Sequence, residues 1–266
     1  MVAQKKVDRN PTGKEVALAQ APTGVIQAPA DQVPDYIRQD SNRGNENVGT
    51  EDLVIPRLEL VQALSPCLDE NNEAAYIEGA KQGQLFNSLT RELYGSSVLV
   101  VPVMFMKQYL VWRDRKKGGG FGGAFNSIAD AKEEISRRED PENWEPVETG
   151  QHLVLIIKAN GALEEAMISM SRTKLKISRQ WNSLIRQGGG DRFSRVYQIT
   201  GVKETNSNND TYFNFSVKFV GFPSQDIYER ASELYERIAG GDVNVVMDTS
   251  YVDEISDREE VHNDEY

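Results

Sequence analysis

Between Lys107 and Phe121 the chain sets Lys107, Tyr109, Arg113, Arg115, Lys116, Lys117 and Phe121 among few acids, with Gly118, Gly119, Gly120, Gly122 and Gly123 in or just beyond the same stretch. Cations beside aromatic rings supply charge for phosphates and flat faces for unstacked bases, which is what a single-stranded nucleic acid requires. Glycine backbone adds the possibility of close approach. This chemistry breaks no bond, so the stretch predicts a binding protein, not an enzyme, with no metal or cofactor. A plain hairpin loop is the competing reading of the glycine run. The run matches G-x-G-x-x-G at Gly118, Gly120 and Gly123, but a dinucleotide loop must open directly into a helix, and here Ala124-Phe125-Asn126 intervenes.

A second basic group lies on a helix predicted from about Arg172 to Gln187. At 100° per residue Ile177, Trp181, Leu184 and Ile185 fall on one side, while Arg172, Lys176, Arg179 and Arg186 gather on the other. Trp181 therefore reads as core, the alternative being a base-stacking ring. A charged helix face is often merely solvated; the lack of interleaved acids in this one favours binding. Farther on, Phe213, Phe215, Val217 and Phe219 share one face of a strand as core. Tyr212, Asn214, Ser216 and Lys218 point the other way, where with Arg195 and Tyr197 they would line a binding surface.

An enzyme of nucleic-acid or nucleotide metabolism is the first rival, and it needs clustered carboxylates or a nucleophile with its base. Glu133-Glu134 and Glu164-Glu165 are adjacent pairs whose side chains diverge on a helix or strand, so neither makes a metal site. Cys67 is the one cysteine, and with only His152 and His262 it builds no structural zinc centre. A half-buried structural residue is the reading for it.

The net charge of -11 over 266 residues is unevenly spread. Beyond Gly241 nine acids, Asp242, Asp248, Asp253, Glu254, Asp257, Glu259, Glu260, Asp264 and Glu265, face the single base Arg258. From Ser171 to Val220 nine bases face three acids. The picture is a basic body with an acidic tail. The longest apolar run, Val98 to Met106, is too short to cross a membrane, no secretory segment follows Lys5 and Lys6, and a reducing cytoplasm fits the cysteine usage.

These groups must be held by a fold, expected to be α+β: an antiparallel, OB-like barrel decorated by three helices, between a disordered leader (1–47) and the acidic tail (242–266). Strands are expected near 53–62, 97–113, 151–158, 162–170, 193–203 and 211–220. Asn160-Gly161 marks a tight hairpin turn. Helices start at Ser127, near Arg172 and at Ser224, the last stopped by Gly240-Gly241. Within 97–113, alternation past Pro102 puts Met104, Met106, Leu110 and Trp112 on one face. Leu99, Val101, Val103 and Phe105 share the other with Lys107, Tyr109 and Arg113. Val243 to Met247 could instead form one more strand, which would move the start of the tail.

The segments Asp52-Leu-Val-Ile-Pro-Arg-Leu-Glu-Leu-Val-Gln, Gly83-Gln-Leu-Phe-Asn-Ser-Leu-Thr, Val100-Val-Pro-Val and the loop from Trp112-Arg113 to Gly123 resemble single-stranded DNA-binding proteins of lytic tailed bacteriophages. The resemblance spans roughly 50 to 220. It implies coating of replication intermediates in the cytoplasm of an infected host, a role in recombination, and in some members stimulation of transcription through the tail. Replication, recombination or transcription proteins would then be held by Asp253, Glu254, Asp257, Glu259, Glu260, Asp264, Glu265 and Tyr266, a tyrosine standing where phenylalanine is common. A phage protein whose basic face docks a host protein is the second rival.

Overall fold

The computed structural model describes residues 44, 46–48, 54–205, 209–240 and the backbone of 246–247. Most of the expected leader, and all of the tail beyond Met247, lie outside the described residues. Two compact units divide the chain, Met1–Asn47 and Val48–Tyr266, and every helix and strand among the described residues belongs to the second. In chain order these are β1 (Val54–Ile55), β2 (Leu58–Leu60), β3 (Leu85–Asn87), β4 (Leu93–Gly95), β5 (Ser97–Arg113), β6 (Phe121–Phe125), α1 (Ile128–Ser136), β7 (Trp144–Ile157), β8 (Leu163–Ser171), α2 (Leu175–Gly188), β9 (Val196–Thr205), β10 (Thr211–Gly221), α3 (Gln225–Ala239) and β11 (Val246–Met247). Three helices on antiparallel strands make the fold α+β.

The main sheet runs β10-β9-β5-β7-β8 with β6 added to β5, all antiparallel, and it is open. The OB-like closure expected from the sequence is not made, because β8 and β10 do not meet. The chain around β2 stands between them. On one side Met167 N–H donates to the Pro56 carbonyl at 2.8 Å; on the other the Gln62 side-chain amide takes both backbone groups of Phe213, at 2.7 and 2.9 Å. β2, β3 and β4 form their own small antiparallel sheet. After Gly241 the backbone returns: Val246 and Met247 pair in parallel with Val54 and Ile55. The strand alternative for that stretch is thus met at two residues, Val246 and Met247.

β5 pairs with β7 over fourteen positions, interrupted once, where Pro102 faces Val154 and Met104 faces Leu153. Val103 is the extra residue of a bulge. An inserted residue reverses which parity faces which side, so Met104 and Met106 join Val101 and Val103 in the core under α3. Phe105 and Lys107 cross to the side of α2. The single alternation read from the sequence fails at this one residue.

Each face of the sheet has its own core. Val98, Val100, Val154, Ile156, Ile168, Ile199 and Phe215 meet Leu58, Leu60 and Leu85 of the small sheet and Trp181 and Ile185 of α2. Trp181 is 0 % exposed, as the helical periodicity requires. On the other face Ala231, Leu234 and Ile238 of α3 cover Val101, Leu153, Leu155 and Met167. Cys67 is buried with Val61, Ile77 and Phe86 on the far side of the small sheet. Ser127 caps α1 by accepting from Asp130 N–H at 3.1 Å. Ser224 occupies the N-cap of α3 without a side-chain cap bond.

Between β7 and α2 sits a polar group that the sequence did not advertise. His152, fully buried, stacks on Trp181 at 4.6 Å and 16°. Its Nδ1 lies 2.9 Å from an Arg192 guanidinium nitrogen and its Nε2 lies 2.7 Å from Ser178 Oγ. Arginine only donates, so Nδ1 is the acceptor and Nε2 carries the hydrogen, which it donates to Ser178. Gly150 makes this possible, because a Cβ there would overlap Ser178 Oγ.

Trp181→Ala is expected to destabilise the domain by about 3–5 kcal/mol, read from the urea midpoint. A variant that melts like the parent would put the ring outside the core.

Burial, together with the Arg192 charge, holds the His152 imidazole well below its ordinary 6.5. The folded protein therefore refuses a proton that the unfolded chain accepts, so stability is intact above pH 6.5 and falls as the pH drops below it. From pH 7.5 to 5.5 the loss from this one residue should be about 1 kcal/mol in urea titrations, and His152→Gln should remove that component. An unchanged acid slope in the variant would assign the loss elsewhere.

Candidate nucleic-acid interface

The glycine-rich stretch is the tip of a hairpin. β6 pairs with β5 through Tyr109–Phe125, Leu110–Ala124, Val111–Gly123 and Trp112–Phe121, a bulge passing over Gly122. The sequence pattern showed no strand here, since glycines carry neither strand propensity nor alternation. The reversal is a short 3-10 turn, Arg115–Lys117, organised by Asp114: its carbonyl accepts from Lys117 and Gly119 N–H at 3.0 and 3.1 Å and its carboxylate from Lys116 N–H at 2.9 Å. Lys116 and Lys117 are exposed and have no ion-pair partner among the described residues. The side chain of Arg115 lies outside the described residues. Trp112 and Phe121 face each other across the strands at 5.0 Å, both half-buried.

The base of the hairpin is tied by charge and rings. Arg113 pairs with Asp140 and lies 5.8 Å from the Trp144 ring centre. The Trp144 indole N–H, then Arg113, hold the Asp140 carboxyl below its ordinary range. Arg138 stacks on the same ring at 3.8 Å and donates to the Gly122 carbonyl at 2.8 Å. A Cβ at Gly122 would come within 2.8 Å of both Trp144 and Val111. The close approach this glycine permits is thus to the chain's own tryptophan. Tyr109, expected as a free stacking face, packs beside Val111, Ala131 and Ile135.

On α2 Lys176, Arg179 and Arg186 sit exposed as the helical projection placed them, while Arg172, expected on the same helix, precedes it in a 3-10 turn, and acids missing from the helix arrive from β7. Arg172 pairs with Glu145, and Glu148 takes Arg179 at 3.3 Å and Lys107 at 3.2 Å. Burial pushes Glu148 up, yet the hydrogen bonds and charges of Lys107 and Arg179 outweigh it and keep the carboxyl below its usual range. The unmixed stripe seen in the sequence is therefore mixed in space. Lys176 and Arg186 remain exposed and without an ion pair among the described residues.

The β9–β10 group is split. Register sets Tyr197 opposite Phe219, on the α2 side of the sheet, where it is 1 % exposed against the edge of Trp181. It has no face to offer, which corrects its expected place beside Tyr212 and Lys218. Tyr212 donates to Glu204 at 2.8 Å, and Lys218 is exposed. Arg195 is fixed by the carbonyls of Gly188 and Gly189 at the end of α2, and by Ser194 Oγ at 3.1 Å. Phe219, expected in the core with Phe213, Phe215 and Val217, is instead 44 % exposed, at the end of β10 where its pairing with β9 shifts. Phe222 (71 % exposed) and the half-buried Trp112 are two further accessible rings that the sequence did not mark as stacking faces. Phe222 follows a strand end, outside any periodic pattern, so no sequence signal marked it.

Residues 26–244 match the model of the Pam3 phage gp34-like protein family. The chain belongs to that family. It is accordingly a phage protein, which is the coarser part of what the sequence resemblance implied. No curated protein and no solved structure matches the chain. The family match stops short of Asp248, so the acidic residues Asp253 to Glu265 lie beyond it. Among the described residues no helix is long and apolar enough to cross a membrane.

If Gly122 serves Trp144 and not a ligand, Gly122→Ala should displace that ring. The expected outcome is a shift in tryptophan emission and a loss of about 1–3 kcal/mol in the urea midpoint. Wild-type emission with normal stability would return the glycine to a ligand-facing role.

Proposed function

We propose that this Pam3 phage gp34-like protein binds single-stranded DNA without strong sequence preference, acting by occupancy and not by catalysis. The observation that carries the reading is the hairpin tip, where Trp112 and Phe121 stand beside the exposed pair Lys116 and Lys117. Arg113 and Trp144 brace it from below. Lys176 and Arg186 on α2 add charge free of protein carboxylates. Lys107, Arg172 and Arg179, which have carboxylate partners, contribute only as phosphates displace Glu145 and Glu148. Work in phage replication and recombination in the host cytoplasm, with partner proteins held by the acidic residues beyond Met247, belongs to the same proposal.

Binding of labelled oligo-dT, measured by anisotropy, should weaken steeply with salt. Each phosphate neutralised contributes about -0.7 to the log–log slope, so four free lysine and arginine contacts give roughly -3. The double variant Lys116→Ala, Lys117→Ala should flatten that slope by about 1.4 while leaving the melting curve unchanged. Salt-independent binding, or a preference for duplex, would overturn the proposal.

A further inference from the structure

Phe222 is the most exposed large apolar side chain among the described residues. It is nevertheless held in place. The Phe219 ring stands edge-on to it at 5.6 Å and 73°, and the Arg195 guanidinium lies 5.7 Å from its centre. Arg195 is itself anchored to the end of α2, so the ring, its neighbour and the cation form one fixed platform. Beside it a cleft of about 350 Å³ opens among Leu99, Ile157, Val196, Val220, Phe222 and Ile227, with no carboxylate in its lining. Lys218, exposed, lies on the same strand two residues before Val220.

The adjoining edge of β10 also offers backbone. Phe213 turns its N–H and carbonyl outward to Gln62, and the Phe215 N–H is taken by Asn214 Oδ1 at 2.8 Å. By the period of two, Val217 and Phe219 turn theirs outward as well. No group among the described residues receives those two.

We propose that Phe219 and Phe222, with Arg195, form a second stacking and phosphate-contact subsite for the same single strand, at the opposite end of β5 from the hairpin tip. The proposal rests on the single-strand reading and specifies where the strand runs. Leu99 and Trp112 are thirteen residues apart on β5, about 40 Å. α2 lies between. Arg172, just before it, holds Glu145, the register partner of Trp112, while Gly188 at its other end holds Arg195. Lys176, Arg179 and Arg186 lie along the way. At 3.4 Å per stacked nucleotide, roughly a dozen nucleotides cover the distance, within the range of about 4–16 typical of such sites. An apolar cleft also suits a protein side chain, but a symmetric second copy would bring Arg195 against its own counterpart. The carboxylate-free lining of the cleft and the anchored Arg195 beside Phe222 favour a polyanion.

The test uses the full chain with labelled oligo-dT of about sixteen and about five nucleotides at low salt, lengths that bracket the spacing. Phe222→Ala should weaken the longer oligonucleotide by roughly five- to a hundredfold and the shorter one much less. It should melt like the parent. Independently of any variant, a 5-iodouracil-substituted sixteen-mer should photocross-link to the peptide containing Phe219 and Phe222. If the parent binds no oligonucleotide, the single-strand reading itself falls and the subsite with it. If the parent binds, but Phe222→Ala binds equally well and no cross-link forms at that peptide, the subsite is overturned and the reading stands. If Phe222→Ala turns a dimer into a monomer without changing oligonucleotide affinity, the patch belongs to a second copy and the subsite is likewise overturned.

Discussion

The pairing of β5 with β7 is the constraint on which the rest depends. Fourteen paired positions fix both strands, and β6, β8 and β9 take their registers from them. Because side chains alternate, that register decides what each face presents to the helices. The bulge at Val103 then turns one strand into two regimes. Before it, Val98 and Val100 face α2 and the small sheet; beyond it, Phe105 and Lys107 do. Without the inserted residue, Phe105 would point toward α3 and could not reach His152 at 5.0 Å.

The buried His152 group shows how the sheet and α2 are kept in one arrangement. A neutral imidazole accepts from a guanidinium and donates to a hydroxyl, although Arg192 Nε and Trp181 Nε1 beside it are buried without a hydrogen-bond partner. Arg192, driven down to about 10 by burial, is still charged at neutral pH. Its position 5.5 Å from the Phe105 ring adds an aromatic face to its one hydrogen bond to His152. Polar specificity here sets how α2 lies on the sheet, and hence where its outer, basic side points.

Charge on this protein is distributed with compensation. Glu145 and Glu148 belong to a strand far from α2 in sequence, yet they sit against its arginines and against Lys107. Surface ion pairs of this kind contribute little to stability, because solvent screens them and ordering long side chains costs entropy. Their effect is on potential: they lower the charge that a polyanion would meet on the middle of α2 and leave the hairpin tip and the Phe222 end comparatively bare. Accessible rings lie at those same two ends of β5.

By itself the sequence determined what depends on local periodicity. β5 was legible from Ser97 to Arg113, the Asn160-Gly161 turn followed from the dihedrals that glycine accepts, and Trp181 fell to the core because a 3.6-residue repeat leaves it no other side. The alternation of Phe213, Phe215 and Val217 placed them correctly in the core beneath α2, but Phe219, the fourth residue of that face, is exposed. Tertiary structure alone decided the rest. β6 exists because β5 offers it an edge, not because glycine favours a strand. The barrel stays open because Pro56 and Gln62 occupy the edges that would have joined. Tyr197 is buried because register sets it opposite Phe219, and the stripe on α2 is mixed in sign because β7 lies beside it. Each of these is a contact between residues distant in the chain, and periodicity within one segment carries no information about which other segment will lie against it.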